Sequence, residues 1–184
     1  MIFRETKLPG AYIIEPEPSR DERGFFARTF CRREFAAIGH HQEFVQFNHS
    51  FTRKEGTVRG LHYQAPPHAE IKLIRCIRGK IFDVIVDIRR GSRTFLEHIS
   101  VELSERNQKM IYVPKGFAHG FQTLEADVEL LYHHTAYYAP ESEGGLRYDD
   151  PRLGIQWPLP VMGLSDKDQA HPHIERHFSG LQLS

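Results

Sequence analysis

Two ionisable side chains lie close together in the middle of this sequence, where they could act on one substrate. His62 is in the segment RGLHYQ (59–64), and Lys72 is in the largely apolar run 71–77. An imidazole can remove a proton next to a carbonyl group, and an ammonium can stabilise the enolate oxygen that forms. A lysine inside an apolar strand needs a partner or a function, because a buried unpaired charge is costly. The pair predicts proton abstraction beside a ketone, whereas the alternative for His62 is a partly buried strand histidine.

Two residues farther along the chain could complete such a site. Tyr132 ends the segment ELLY (129–132), and a phenol can return a proton to a carbanion if its surroundings adjust its acidity. Asp168 lies in LSDKD (164–168), and if it folds back against His62 its carboxylate would orient the imidazole and raise its basicity. The alternatives are a core tyrosine and a solvated helix start.

The segment PKGFAHG (114–120) places His119 after a sharp turn, with a spacing that resembles the second cupin motif. The first cupin motif would supply a His-x-His pair and a Glu, but here Gln64 stands where the second His would be. Glu70 lies near the expected Glu, and one missing imidazole leaves a weak ligand set for Fe, Mn or Zn. We therefore expect no metal and no other cofactor. A metal-dependent dioxygenase that uses His62, Glu70 and His119 is the alternative, and His119 could also be a packed histidine.

Composition limits the class of protein. The chain has 184 residues, which suits one domain over 1–184, and its 24 basic and 24 acidic residues balance. No global field therefore points to nucleic acid or an anionic membrane. Cys31 and Cys76 are too few for a disulfide framework, so both are expected to be reduced, buried thiols in an intracellular protein. The charged start and the lack of a long apolar stretch predict a soluble, cytoplasmic chain.

The elements that must position these side chains are mostly short strands. β-Branched and aromatic runs predict strands over 71–77, 81–88, 95–103, 110–113 and 128–133, with a tight turn at 78–80 between the first two. In the segment 81–88, Phe82 and Val84 share one face while Asp83 and Ile85 share a mixed second face, as in a barrel interior or at a subunit interface. Helices are expected only at 31–38, from 165 and at 173–178. Many short strands with Gly and Pro turns favour an antiparallel β-sandwich or barrel.

Taken together, these segments resemble the dTDP-4-dehydrorhamnose 3,5-epimerase family, a cupin-like jelly-roll group. The resemblance extends in order over nearly the whole chain, and its main segments are RGFF (23–26), RGLHYQ (59–64), PKGFAHGF (114–121) and LSDKD (164–168). It implies a mainly β, cupin-type sandwich or jelly roll with a few short helices. It also implies a metal-free homodimer that inverts C3 and C5 of dTDP-4-dehydro-6-deoxy-D-glucose to give dTDP-4-dehydro-L-rhamnose.

The resemblance also implies a role for each site residue. His62 would be the base, supported by Asp168, while Tyr132 would deliver a proton from the opposite face and Lys72 would stabilise the enolate at O4. Tyr138 would stack on the nucleobase. The residues expected to contact nucleotide, phosphates or sugar are Arg23, Gln46, Asn48, Arg59, His119, Glu143 and Lys167.

Two positions depart from the family pattern, which often has an acidic residue at each. Here Arg28 and Phe47 occupy them, both near the expected nucleotide or sugar site. The reaction class is therefore more firmly indicated than the substrate. Epimerisation at one carbon alone, ketoisomerisation of a related nucleotide sugar and a non-catalytic sugar-nucleotide binding module are the remaining alternatives.

Overall fold

The structure is a computed structural model that describes residues 1–183. That part of the chain contains thirteen β-strands and two short α-helices, and none of its helices has the length and apolar character that a membrane crossing requires. The helices are α1 (Arg32–Phe35) and α2 (Asp166–Ala170). The strands are β1 (Ile2–Glu5), β2 (Tyr12–Glu15), β3 (Ser19–Asp21), β4 (Gly24–Phe26), β5 (Gln46–Thr52), β6 (Val58–Gln64), β7 (Lys72–Arg78), β8 (Lys80–Asp87), β9 (His98–Ser104), β10 (Met110–Val113), β11 (Phe117–Thr123), β12 (Val128–His134) and β13 (Glu143–Gly145).

Most strands belong to two antiparallel sheets. One has six strands in the order β1-β2-β10-β7-β12-β5, and the other has five in the order β13-β6-β11-β8-β9. The central core takes Ile74 and Leu130 from the larger sheet and Ile85 and Phe121 from the smaller one. Two sheets that share one apolar core form a β-sandwich. The predicted fold class, an antiparallel β-sandwich with a few short helices, is confirmed.

Strand β8 is buried on both faces, as its sequence pattern predicts. Ile81 and Ile85 point into the central core, whereas Val84 and Val86 belong to a second apolar cluster with Leu146. This second cluster packs the C-terminal part of the chain against the outside of the five-stranded sheet. The mixed face of β8 therefore points between the two sheets, so the barrel-interior interpretation of that face is confirmed.

Three details of the strand predictions differ from the structure. The strand predicted at 95–103 begins only at His98, because Leu96 has a left-handed φ of 64° inside a hydrogen-bonded turn. The turn predicted at 78–80 exists, with Gly79 at φ 73°. However, it connects β7 and β8, which lie in different sheets, so it crosses the sandwich and does not close a hairpin. His62 lies inside β6, a strand that is not among those predicted.

The helix predictions are partly right. Helix α1 continues into a 3₁₀ turn, Ala36–Ile38, that ends at Gly39 with φ 78°, and α2 is capped by the Ser165 hydroxyl, which accepts a hydrogen bond from the Asp168 N–H. The helix predicted at 173–178 is wrong. The segment is irregular apart from a turn at 176–177, and the Asp150 carboxylate accepts a hydrogen bond from the Ile174 N–H.

Candidate active site

Side chains from both sheets line a cavity of about 280 Å³. His62 on β6 and His119 on β11 come from the five-stranded sheet, whereas Lys72 on β7 and Tyr132 on β12 come from the six-stranded sheet. The cavity is therefore walled by opposing strands, with an imidazole on one side and a phenol and an ammonium on the other. Its remaining lining residues are Asn48, Ser50, Arg59, Tyr63, Gln64, Glu70, Phe121, His134, Tyr138 and Glu143.

His62 and Asp168 form a close pair, although 106 residues separate them in the sequence. His62 Nε2 lies 2.5 Å from Asp168 Oδ1, and the Gly60 N–H donates a hydrogen bond to Asp168 Oδ2 at 3.2 Å. Burial would raise the pKa of the Asp168 carboxyl, but the hydrogen bond and charge of His62, helped by the Gly60 N–H, hold it below its ordinary value. Asp168 is thus an anion that fixes the imidazole, with the Nε2–H donating to it and Nδ1 left as the basic nitrogen.

Gly60 makes this contact possible. Its φ is 108°, and a Cβ there would lie 2.6 Å from the His119 carbonyl oxygen and 2.7 Å from the Gly120 Cα. Only glycine allows the backbone of β6 to approach β11 so closely and still direct its N–H to Asp168.

Lys72 is held by a network of buried polar groups. Its Nζ lies 3.4 Å from both Glu70 Oε1 and the His62 carbonyl oxygen, and its side chain is 10% exposed. Glu70 Oε2 in turn lies 2.7 Å from His134 Nδ1. Burial would raise the pKa of Glu70, but the His134 hydrogen bond and the Lys72 charge lower it overall. The buried Lys72 ammonium is therefore paired with the Glu70 carboxylate, as expected for a lysine inside an apolar strand.

Tyr132 is held protonated by its surroundings. Burial raises the pKa of its phenol above the ordinary value, and the Ser50 hydroxyl donates a hydrogen bond to the phenol oxygen at 3.5 Å. A phenol that stays protonated at neutral pH can act as a proton donor. Its ring lies edge-on to His119, with 6.2 Å between ring centroids.

His119 pairs with a buried carboxylate. Its Nε2 lies 2.8 Å from Asp83 Oδ2, and both side chains are almost completely buried. The other Asp83 oxygen, Oδ1, has no hydrogen-bond partner within the described residues. His119 is thus a packed, hydrogen-bonded histidine that also lines the cavity. The sequence had left these open as two separate interpretations, a packed histidine or a site residue.

A second set of polar side chains connects the cavity to the surface. Glu143 Oε2 accepts hydrogen bonds from the Tyr138 hydroxyl at 2.6 Å and from Lys167 Nζ at 2.5 Å. The Gln46 side-chain oxygen accepts from the Tyr138 backbone N–H at 3.0 Å, and Gln46 Nε2 donates to Asn48 Oδ1 at 3.2 Å. The sequence-predicted binding residues of this group therefore do come together.

The two arginines predicted to bind substrate are placed differently. Arg59 lines the cavity and donates a hydrogen bond to the Phe51 carbonyl oxygen at 3.2 Å. Arg23 does not reach the cavity. It lies in the β3–β4 hairpin, where its guanidinium pairs with Asp21 and its side chain is 84% exposed.

The two departures from the family pattern also lie outside the cavity lining. Arg28 pairs with Glu34 at 2.7 Å on the surface. Phe47 is on the edge strand β5, with 65% of its area exposed and its ring edge-on to His133.

Gln64 has a structural role. Its side-chain oxygen accepts a hydrogen bond from the Ala139 N–H at 2.7 Å, and its Nε2 donates to the carbonyl oxygens of His68 and Tyr137. The dioxygenase set of His62, Glu70 and His119 does not form a ligand cluster within residues 1–183, where Glu70 pairs with His134 and His119 with Asp83.

The fold and the cavity define an enzyme of the cupin-like β-sandwich class. Comparison with known proteins supplies the family. The chain belongs to the dTDP-4-dehydrorhamnose 3,5-epimerase family, whose model matches residues 5–176, and it is an isomerase.

Relatives match the chain over nearly its whole length. The dTDP-4-dehydrorhamnose 3,5-epimerase of Salmonella typhimurium is 44% identical over 96% of this chain and 97% of its own. A solved dTDP-6-deoxy-D-glucose-3,5-epimerase from Legionella pneumophila, in complex with dTDP-4-keto-L-rhamnose, is 39% identical. It superimposes with a TM-score of 0.91 over 100% of this chain and 99% of its own.

A solved relative with a narrower reaction is also similar. ChmJ from Streptomyces bikiniensis, a 3'-monoepimerase in complex with dTDP-quinovose, is 34% identical with a TM-score of 0.86. The match covers 91% of this chain and 85% of that one.

Proposed function

We propose that this chain is a dTDP-4-dehydrorhamnose 3,5-epimerase that converts dTDP-4-dehydro-6-deoxy-D-glucose to dTDP-4-dehydro-L-rhamnose. The observation that carries the proposal is the placement of His62 and Tyr132 on opposing sheets across one cavity. Inversion of a carbon requires a proton to leave one face and return to the other. A base and an acid on opposite walls meet that requirement, whereas two groups on one wall would only exchange the proton.

His62 removes the proton. The Nε2–H is engaged with Asp168, so Nδ1 is the nitrogen with a free lone pair, and the carboxylate stabilises the imidazolium that forms. C3 and C5 of the sugar both lie next to the C4 ketone, so one base can serve both carbons.

Lys72 stabilises the enolate at O4. Both proton abstractions place negative charge on the same oxygen, so one fixed ammonium suffices for both inversions. The Glu70 carboxylate beside Lys72 holds the ammonium in position. The loss of one such donor costs about 3 kcal/mol of transition-state stabilisation in comparable sites.

Tyr132 returns the proton. The raised pKa of its phenol keeps it protonated until the enolate carbon accepts the proton from the opposite face. After one inversion His62 holds an extra proton and Tyr132 lacks one. Before the second carbon reacts, His62 must release its extra proton to solvent and Tyr132 must regain one from solvent. The number of protons is then balanced without a cofactor.

The nucleotide end of the substrate is bound at the cavity mouth. Tyr138 stacks on the nucleobase, and Arg59 and Lys167 supply positive charge for the diphosphate. The remaining contacts to the nucleotide or the sugar come from Gln46, Asn48, His119 and Glu143. The polar network that joins Gln46, Asn48, Tyr138, Glu143 and Lys167 supports this assignment.

The chain also forms a homodimer. Phe25 and Phe26 on the β3–β4 hairpin are exposed, and Phe47 and Phe51 are exposed on the edge strand β5. Exposed aromatic side chains on an unpaired strand edge favour association with a second copy. Arg23 belongs to the same hairpin, so a second copy could bring it to a cavity that its own chain does not let it reach.

The direct test is proton exchange in D₂O, followed by NMR on dTDP-4-dehydro-6-deoxy-D-glucose. We expect deuterium at both C3 and C5 and formation of the L-rhamno product. His62→Ala is expected to abolish exchange at both carbons, while His177→Ala, at an exposed position outside the cavity lining, is expected to leave it intact. Undiminished exchange in His62→Ala would contradict the proposed base.

A single-site epimerase is the second candidate, because the similarity to the 3'-monoepimerase ChmJ extends over most of the chain. The same NMR experiment separates the two. Label at one carbon only would establish the narrower reaction. Running it in parallel with UDP-, GDP- and CDP-linked 4-keto sugars tests the nucleotide preference.

A further inference from the structure

A third ionisable side chain, His171, lies beside the His62–Asp168 pair. One ligand atom from each of His62, Asp168 and His171 can be chosen so that all three lie within 4.8 Å of one another. Within residues 1–183 this is the one set of three or more histidine, cysteine or carboxylate groups with that property. The imidazole rings of His62 and His171 are 6.0 Å apart between centroids and nearly perpendicular, at 70°.

The chain holds His171 at this place by ordinary packing. Helix α2 ends at Ala170, and His171 continues in an extended conformation with φ −60° and ψ 137°, followed by Pro172. Its ring occupies the space that any side chain at Gly145 would fill. His171 Nε2 is buried and has no hydrogen-bond partner in the described part of the chain. Burial, and then the positive charge of His62, lower the pKa of His171.

We propose that His62, Asp168 and His171 form a binding site for Zn²⁺ or a similar divalent transition metal, and that its occupation switches off the base. Two imidazoles and one carboxylate are ligands that zinc prefers over magnesium or calcium, and three protein ligands leave a fourth position for water. Of the three ligands, His62 lines the cavity, and its side chain is 33% exposed. The proposed metal is an inhibitor and takes no part in the reaction.

The three ligand atoms need only small movements to coordinate one metal ion. Tetrahedral zinc with bonds of about 2.0–2.1 Å holds its ligand atoms about 3.3 Å apart. His62 Nε2 and Asp168 Oδ1 must separate from 2.5 Å to admit the metal, and the third ligand must move inward from at most 4.8 Å. A shift of the His171 ring breaks no hydrogen bond at Nε2, which has no partner within residues 1–183.

Inhibition follows from the tautomer of His62. In the free enzyme Nε2 carries the proton and donates it to Asp168, which leaves the Nδ1 lone pair for catalysis. A metal bound at Nε2 needs the lone pair there, so the proton moves through solvent from Nε2 to Nδ1. No atom is gained or lost by the imidazole, but the nitrogen that should accept the substrate proton is now occupied. This inhibitory half of the inference rests on the proposed role of His62, whereas metal binding does not.

The experiment uses full-length protein without a polyhistidine tag and ZnCl₂ as the probe. Equilibrium dialysis and metal analysis measure binding in the absence of substrate, and imidazole ¹⁵N NMR reports which nitrogen of His62 is protonated. We expect His171→Ala to weaken Zn²⁺ binding by at least about tenfold, since even indirect supports of metal ligands contribute that much. His177→Ala removes an exposed histidine from the same terminal segment and should bind as the wild type does.

Each outcome decides one half of the inference. Zn²⁺ binding that is unchanged in both His171→Ala and His171→Gln, each shown to be folded by circular dichroism, would overturn the site. Binding that depends on His171 but neither moves the His62 proton to Nδ1 nor slows proton exchange would overturn the switch. Under the full inference, Zn²⁺ inhibits the wild type at concentrations that leave His171→Ala active, and EDTA reverses the inhibition. If neither protein shows proton exchange before zinc is added, the proposed epimerase function has failed while the dialysis result still tests the site.

Discussion

The Asp168 carboxylate pairs with His62 but is not among the side chains that line the cavity. Its charge holds the Nε2–H of His62 and would stabilise the imidazolium. Asp168→Asn keeps the shape and the hydrogen-bonding oxygen but removes the charge. We expect kcat to fall about 10²–10⁴-fold with a much smaller change in KM, because the lost stabilisation belongs to the transition state.

The matched control for this prediction is Asp166→Asn, two residues away on the exposed side of α2. It makes the same chemical change near the same helix start and should leave kcat unchanged. Equal losses of kcat in the two variants would mean that activity depends on helix α2 and not on the contact between Asp168 and His62. Steady-state kinetics with NMR detection of product measure both.

In the proposed mechanism, Tyr132 is the residue that separates proton exchange from inversion. Tyr132→Phe removes the proton donor on one wall but leaves His62 able to take a proton and give it back on the same face. We expect deuterium incorporation to continue while inversion falls by about 10²-fold or more. Tyr137→Phe, at a side chain that is 70% exposed, should preserve both rates. A parallel loss of exchange and inversion in Tyr132→Phe would argue against the two-wall mechanism.

At the residue scale, the sequence indicated side chains that the structure brings together, but not all of their neighbours. His62 and Lys72 were recognisable because a histidine and a buried lysine in strands require explanation, and Tyr132 and Asp168 followed from the chemistry and the family resemblance. The Glu70–His134 pair spans 64 residues, and His171 has no motif around it. Contacts made through tertiary packing leave no local signal, so such partners could not be found from one sequence.

Among the elements, the connection after β8 depends most on a single buried charge. Asp87 is fully buried and accepts hydrogen bonds from the Arg89 guanidinium and from the hydroxyls of Ser92 and Thr94. Burial would raise the pKa of Asp87, but the hydrogen bonds of Arg89, Ser92 and Thr94 lower it overall. Asp87→Asn is expected to reduce the free energy of unfolding by about 2 kcal/mol at pH 7, the scale of hydrogen bonds to a charged group.

The pH dependence of this loss has a definite sign. Because the pKa of Asp87 is lower in the folded chain, its contribution is fully present above the unfolded pKa of about 3.9 and disappears as pH falls through the folded pKa. The difference between wild type and Asp87→Asn should therefore shrink in acid. Urea unfolding at pH 7 and at the lowest pH where both remain folded measures it. A difference that persists in acid would mean that Asp87 acts through shape and not through charge.

The success of the element predictions depended on periodicity. Strand β8 was predictable on both faces, since its alternation of side chains is regular over the whole strand. The hairpin β3–β4 has three-residue strands, too short for a periodic pattern. The helix predicted at 173–178 is wrong because so short a segment is not helical without tertiary support, and its Ile174 N–H bonds to a carboxylate 24 residues away. The conformation of such short segments is set by their tertiary contacts.

In the whole molecule, the β-sandwich brings residues from two sheets together around one cavity. His62 and Lys72 are ten residues apart in the sequence but lie in different sheets, with the β6 and β7 strands on opposite walls. The sequence predicted both strands' chemistry without predicting that they face each other. Strand order between sheets depends on contacts across the whole chain, so this arrangement is seen only in the structure.

The position of Arg23 leads to a prediction about assembly. It lies outside the cavity of its own chain, in an exposed hairpin whose Phe26 is 79% exposed. If Arg23 binds substrate in the cavity of a second copy, then Arg23→Ala and His62→Ala should each be inactive alone. After subunit mixing, half of the dimers would be mixed, and each would contain one complete site, so about a quarter of wild-type activity should return.

The control mixture combines His62→Ala with Tyr132→Phe. Both of these residues line the cavity of one chain, so every site in a mixed dimer lacks one of them and activity should stay low. Recovery in the first mixture alone would show that Arg23 acts across the interface. No recovery, with mixed dimers verified by mass spectrometry, would confine any role of Arg23 to its own chain. Full activity of Arg23→Ala by itself would remove it from the substrate site, and a monomeric wild type in sedimentation would contradict the proposed homodimer. If two copies complete each other's sites, one arrangement would explain two observations. The β3–β4 hairpin is exposed in the single chain, and Arg23 lies outside the cavity of its own chain.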